Sequence, residues 1–364
     1  MSTRTVAYFI TSHGFGHSTR ALAVMQAMLK KDSSLMFEVF TSTPRWLFEE
    51  ALSDKISYNE CLTDIGLIQK TALEEDLEET VKQINAFYPV EKSMVSPYVS
   101  LLQEKSCELV ICDIAPIGII VAQGLGVSSV LIENFTWDWI YSFYQDKFPG
   151  MGDSVDYLSS LFASATYHIQ ATPVTVFQKA DLVTNPVSRE RMFSRVDVRM
   201  KLGVSNEKKL VLITMGGGHS LGEYELDRMT EFDDCVFLIP SNGKELTKNG
   251  NLYRIPFSYE IGHTDLINTS DAVVGKIGYS TLSEVYHAGV PFGFIPRAQF
   301  PESPILEKFI KENMPSLLIT ESCFNNGDWL NSLPLLLEIN RINRDEENGS
   351  IQASRFILDL LGLK

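Results

Sequence analysis

Residues 6–21 read VAYFITSHGFGHSTRA, and this stretch decides the fold. Its first six residues, VAYFIT, are apolar and β-prone, the pattern of a strand buried on both faces. Gly14 and Gly16 follow at once, where glycine permits a tight turn and a close approach of ligand to main chain. From about Ser18 the run TRALAVMQAMLKK predicts a helix, whose first amides would face an anion held on the turn. Strand, glycine turn and helix in that order open a βαβ unit.

The pattern continues outward. Residues 36–41 (MFEVFT), 109–113 (LVICD) and 130–133 (VLIE) read as strands, with a helix starting over 117–123. GLGVSS at 124–129 reads as the turn between that helix and its strand. The acidic run 74–79 reads as a solvated helix face. Asn185, Pro186 and the mixed-charge residues 189–201 read as a linker, after which the pattern restarts. Residues 210–215 (LVLITM) are followed by three glycines, and 235–240, 272–274 and 291–295 continue the series. The expected fold class is α/β, with two Rossmann-like doubly wound parallel-sheet domains facing across a cleft. They would span 1–188 and 189–350, with a C-terminal helix over 351–364.

Composition bounds the function. At roughly 150 residues per domain, 364 residues suit two domains. The 31 Lys and Arg against 46 Asp and Glu give a net charge of −15, which argues against a nucleic-acid partner. The same charge argues against anionic lipid surfaces, unless a local patch exists. Cys61, Cys107, Cys112, Cys235 and Cys323 are scattered without a CxxC pair and read as reduced thiols of a cytoplasmic protein. The N-terminus does not read as a signal peptide, and no apolar run approaches the roughly 20 residues of a membrane span. His168, His263 and His287 lack ligand spacing, so neither a metal nor a bound cofactor is expected.

Four segments carry the candidate chemistry. His13 and His17 sit at the carboxyl end of the first strand, where open α/β sheets bind ligands, and histidine has the pKa for general base work. The alternative is that one of them caps the helix or bonds a carbonyl. The glycine turn matches half of a dinucleotide fingerprint. Thr19, however, stands where the third glycine belongs, and no acidic ribose ligand ends the second strand, so a nicotinamide site is weak. Asp113 ends LVICD and either orients a histidine or caps the next helix. Residues 134–144 (NFTWDWIYSFY) offer Trp137 and Trp139 as a sugar or acceptor cleft, or as core packing. In the second half, Gly216, Gly217 and Gly218 imitate an anion nest. VGKIGYSTLSEVYHAGVP at 274–291 adds Lys276, Gly278, Tyr279, Ser280 and Thr281 at a helix N-terminus. Glu284, one turn on, either accepts from ribose hydroxyls or closes a capping box.

Taken together these residues resemble the GT-B glycosyltransferases. More closely, the chain is similar to the N-terminal, glycosyltransferase-like half of plant L-arabinokinases, without their kinase domain. The likeness runs through YFITSHGFGHSTRA, DIGLIQKTAL, VICDIAPIG, NFTWDWIY, MGGG and GKIGYSTLSEVYHAGVPFGFIPRAQFPESPIL, over most of residues 5–320. The resemblance implies a metal-independent transferase of the hexosyltransferase type with a nucleotide-sugar substrate, UDP-linked. His13 or His17 with Asp113 would be the base. Gly14, Gly16, the 216–218 turn, Lys276, Gly278, Tyr279, Ser280, Thr281 and Glu284 would hold the donor. Where such transferases carry an Asp/Gln pair against the donor sugar, residues 297–304 read RAQFPESP, which makes Arg297 the candidate there. The alternatives are a non-catalytic nucleotide-sugar binding module and a nucleotide-sugar epimerase or hydrolase.

Overall fold

The computed structural model describes residues 4–70, 75–215 and 227–363. They form two compact units, 1–188 with 347–364, and 189–346. The first unit is built on seven parallel strands. These are β1 (Arg4–Ile10), β2 (Leu35–Thr41), β3 (Ile56–Glu60), β4 (Cys107–Asp113), β5 (Ser128–Glu133), β6 (Tyr167–Ala171) and β7 (Leu182–Thr184). Their order is β3-β2-β1-β4-β5-β6-β7. Val6 to Ile10 are wholly buried, as a strand with helices on both faces requires.

The second unit repeats the plan with β8 (Lys209–Thr214), β9 (Cys235–Ser241), β10 (Thr247–Asn249), β11 (Leu252–Pro256), β12 (Ala272–Lys276), β13 (Phe292–Ile295) and β14 (Ser316–Leu318). The order is β10-β11-β9-β8-β12-β13-β14, with β10 antiparallel to β11 at the edge. Strand order reverses between β1 and β4, and again between β8 and β12. Those two switch points are where an open sheet leaves a crevice at its carboxyl edge. At the second, Gly275 is obligatory: an added Cβ would lie 2.1 Å from the carbonyl oxygen of Thr214.

Several sequence expectations change. The first helix runs Phe15–Lys31, three residues earlier than its expected start, because Gly14 takes φ 74° and turns the chain directly out of the loop. Residues 189–201 are no linker. Ser194 and Asp197 form a capping box for a helix, Arg195–Leu202, whose Val198 and Leu202 enter the core of the second unit. The C-terminal helix runs Gly349–Leu360, and residues 347–364 belong with the first unit. Asn348 Nδ2 donates to the Ser188 carbonyl at 3.0 Å, and Asn185 N–H to Gln352 Oε1 at 2.8 Å. In the acidic run Glu75 is buried, while Asp76 caps the helix Leu77–Phe87. All five cysteines are free thiols. Among the described residues no helix is long and apolar enough to cross a membrane.

Candidate active site

The early helix start places His17 and Arg20 one turn apart on the same face. Both reach Asp113, which ends β4 opposite Ile10 of β1. Arg20 grips the carboxylate twice, Nε to Oδ2 at 2.8 Å and Nη2 to Oδ1 at 2.6 Å. Its Nη1 donates to Asn134 Oδ1 at 2.6 Å. His17 Nδ1 lies 3.0 Å from Asp113 Oδ1 and 3.2 Å from Arg20 Nη2. A carboxylate only accepts and a guanidinium only donates, so the shorter contact assigns the imidazole proton to Nδ1. Nε2 then keeps its lone pair and has no hydrogen-bond partner among the described residues.

Electrostatics sharpen the assignment. Burial pushes the Asp113 carboxyl up, but the Arg20 charge and its hydrogen bonds reverse this and hold Asp113 below the usual carboxylate range. Burial pulls His17 down. The Asp113 contact opposes that, Arg20 adds to it, and the net shift is downward. An ionised carboxylate therefore backs a neutral imidazole. The next residue, Ile114, has φ 54°, a left-handed conformation that a β-branched residue adopts only when its surroundings impose it. Two backbone bonds impose it here, Thr11 N–H to the Asp113 carbonyl at 3.1 Å and Ile114 N–H to Ile132 at 3.2 Å.

A second buried carboxyl, Asp64, lies under the same turn. Thr11 Oγ1 donates to Asp64 Oδ1 at 2.7 Å. Thr63 Oγ1 is 2.9 Å from Asp64 Oδ2 and 3.0 Å from the Ile10 carbonyl oxygen. Thr63 has one hydroxyl proton and the carbonyl can only accept it. With that proton on the carbonyl, the contact to Asp64 closes when Oδ2 is protonated; with it turned to Asp64, the carboxylate is the acceptor. Burial pushes the Asp64 pKa up to about 7, with the Thr11 and Thr63 hydroxyls and the Trp137 indole pulling down and Asp113 pushing up.

In the second unit the helix Tyr279–Ala288 has Gly278, which has no side chain, at its N-cap position. Lys276, Ser280 and Thr281 are half-buried around that end. The capping-box alternative for Glu284 does not form. Instead Glu284 Oε1 accepts from Arg189 Nη2 at 2.9 Å and Thr264 Oγ1 at 3.0 Å, and Oε2 lies 2.7 Å from His263 Nδ1. His263 Nε2 continues to Thr214 Oγ1, at the end of β8, at 3.1 Å. Burial raises the Glu284 pKa, and the Arg189 charge and the His263 contact bring it down to about 2. Glu284 is thus ionised and already partnered.

The remaining candidates divide. His13 packs edge-on to Trp137, ring centroids 5.1 Å apart, and the histidine that meets Asp113 is His17. Trp137 is 0% exposed and stacks on Tyr141, so it presents no face to a ligand. Trp139 is half-buried against Phe143. Arg297 is buried, its guanidinium 4.0 Å from the Phe300 ring centroid. Gly216, Gly217 and Gly218 lie outside the described residues. Arg20, Asn134, Asp64, Arg189 and His263 were not singled out in the sequence. Arg20 had a signal, since a basic residue three positions after a helical histidine shares its face.

Comparison with known proteins agrees with the architecture. The fold is that of the GT-B glycosyltransferases. Arabidopsis thaliana UGT89C1, solved with quercetin, superposes with TM-score 0.65 at 12% identity, over 99% of this chain and 100% of that one. A Polygonum tinctorium UDP-glucosyltransferase capable of glucosylating indoxyl gives 0.63 at 13% identity, over 100% and 99%. In sequence the chain is similar to L-arabinokinase of Arabidopsis thaliana, 28% identical over 312 residues. That match covers 84% of this chain and 29% of the relative, so the chain spans less than a third of that protein's length. No family model matches.

Proposed function

We propose that this protein is a glycosyltransferase of the hexosyltransferase type that moves a sugar from a UDP-sugar to an acceptor nucleophile. The observation that carries the reading is the buried His17–Asp113–Arg20 array at the β1/β4 switch point. A neutral imidazole oriented through Nδ1 has its Nε2 lone pair available for the acceptor proton. As the acceptor attacks the anomeric carbon, the bond to the diphosphate breaks and the diphosphate leaves with the electron pair. Asp113 stabilises the imidazolium that forms. Arg20, 3.2 Å from Nδ1, disfavours that cation, which helps keep the resting imidazole neutral.

The leaving diphosphate is assigned to the second unit. Lys276, Gly278, Tyr279, Ser280, Thr281 and the first amides of their helix supply positive potential, and Gly216, Gly217 and Gly218 complete the expected nest. Oε2 of Glu284, with His263 as its partner, retains acceptor capacity for a ribose hydroxyl. Trp139 and Arg297 are the remaining candidates for sugar contacts. This reading gives charge neutralisation to side chains and amides, so chelator should leave turnover unchanged.

The test is UDP release from a panel of UDP-sugars. His17→Ala should lower it by at least about 10²-fold, the usual worth of a general base, with a smaller loss for His13→Ala. Calorimetric binding without turnover would make the protein a sensor of nucleotide sugars. Absence of binding to any of them would remove the reading.

A further inference from the structure

The start of β12, away from Lys276, carries a concentration of arginines that the chemistry above does not use. Arg195 Nη2 lies 3.2 Å from Asp271 Oδ1, and Arg199 Nη2 2.8 Å from Oδ2, which also accepts Leu210 N–H at 2.8 Å. Arg341 Nη2 donates to Asn268 Oδ1 at 2.7 Å, and Arg191 Nη1 approaches that same oxygen at 3.3 Å. Two guanidiniums thus pair with one carboxylate, and two more meet a neutral amide oxygen, a local concentration of positive charge within a chain of net charge −15. Among the described residues, neither Arg191 nor Arg341 pairs with a carboxylate. The neighbouring acids are turned elsewhere. Asp197 closes the capping box, and Asp265 Oδ1 accepts Met192 N–H at 2.7 Å and Phe193 N–H at 2.9 Å, which pins the segment bearing Arg191.

Part of this has a structural reason. Arg341 Nη1 to the Asn268 carbonyl, 2.8 Å, and Arg195 Nη2 to the Thr269 carbonyl, 3.4 Å, serve the carbonyls that end the helix His263–Thr269. Arg191 has no such task. It is exposed, and its one contact duplicates that of Arg341. Two cations converging on one neutral oxygen repel each other. Burial, and after it the charges of Arg195 and Arg191, push the Arg341 pKa down to about 10, with Asp271 opposing.

We propose that Arg191, Arg195 and Arg341 form a binding site for a phosphate-bearing anion. Planar guanidinium forks match phosphate oxygens bidentately, and a doubly charged anion would neutralise much of that charge. This is the local patch that the overall acidity left as the one exception. A phosphorylated solute and a phospholipid headgroup share the chemistry. The site stands whether or not the protein transfers sugars.

The experiment is phenylglyoxal labelling of the intact protein, mapped peptide by peptide, with inorganic phosphate, pyrophosphate or phosphatidic acid vesicles as the added probe. Mapping keeps this site apart from any diphosphate bound near Gly278. At a probe concentration about ten times Kd, labelling of Arg191 and Arg195 should slow roughly ten-fold, since only unbound protein reacts. In Arg191→Gln, which removes an exposed side chain, protection of Arg195 should fall away, and Arg191→Lys should restore part of it. Protection by the soluble probes supports a phosphorylated solute. Protection by vesicles alone, with co-sedimentation lost in Arg191→Gln, supports a headgroup. Unchanged labelling with all three probes, or protection of Arg195 undiminished in Arg191→Gln, overturns the proposal.

Discussion

Asp64→Asn should leave the protein at least as stable as the wild type at pH 8 and remove a pH dependence that the wild type shows. The neutral acid donates from Oδ2 to Thr63 and accepts from Thr11 at Oδ1. An asparagine amide reproduces that pattern, Nδ2 donating to Thr63 and Oδ1 accepting from Thr11. The folded pKa, about 7, stands above the ordinary 3.8. Between those values the folded chain holds a proton that the unfolded chain has released. Stability from this group is therefore complete below about 3.8 and declines as pH rises to about 7. At 1.36 kcal/mol per unit, a rise from 3.8 to about 7 sets a ceiling of ~4 kcal/mol. The assay is urea unfolding of both proteins at pH 5 and pH 8, followed by a probe in the first unit, because two units need not melt together. The wild type should lose stability between the two pH values by more than Asp64→Asn does. Equal losses, or an Asn variant weaker than the wild type at pH 8 by several kcal/mol, would show that Asp64 is ionised and that the proton on Oδ2 is wrong.

Further outcomes follow from the other buried contacts. Arg20→Ala leaves the Asp113 charge buried with only His17 and should cost about 3–5 kcal/mol in urea unfolding, whether or not substrate is present. Gly275→Ala sets a Cβ against the Thr214 carbonyl, a backbone atom that cannot swing aside, and should cost about 1–3 kcal/mol with β8 and β12 forced apart. Glu284 has its pKa lowered from 4.5 to about 2, so its contribution is present above 4.5 and is lost as pH falls towards 2, in all ~3 kcal/mol. Glu284→Gln should therefore flatten stability between those values, and acid titration of unfolding would reveal a persisting slope if the pairing with Arg189 were unimportant.

Much of the architecture was legible because strand burial and glycine turns are local signals. VAYFIT, LVICD, VLIE and LVLITM all became strands within a residue or two of their expected bounds. The helix at 195–202 was missed because its charges masked it. Arg199 is buried against Asp271, and the only buried apolar residues are Val198 and Leu202, a stripe too thin to stand out in a run of mixed sign. At the candidate site, Asp113 and the pair His13 and His17 drew attention by their positions at strand ends, and only the tertiary contacts bring His17 to Asp113. Asp64 did not, since its partners Thr11 and Thr63 come together only through the tertiary fold. Trp137 took the core-packing alternative for a physical reason. An aromatic run offers rings both to ligands and to the interior, and composition does not say which ring turns inward.

The sharing of one carboxylate between Arg20 and His17 has an evolutionary consequence. Asp113 and Arg20 form a two-point ion pair inside the first unit, to which His17 adds a single contact through Nδ1. A descendant that had abandoned turnover would thus keep the acid and the guanidinium while its imidazole drifted. On the proposed function, an ion pair retained without the imidazole at position 17 is the mark expected of a homologue that no longer turns over.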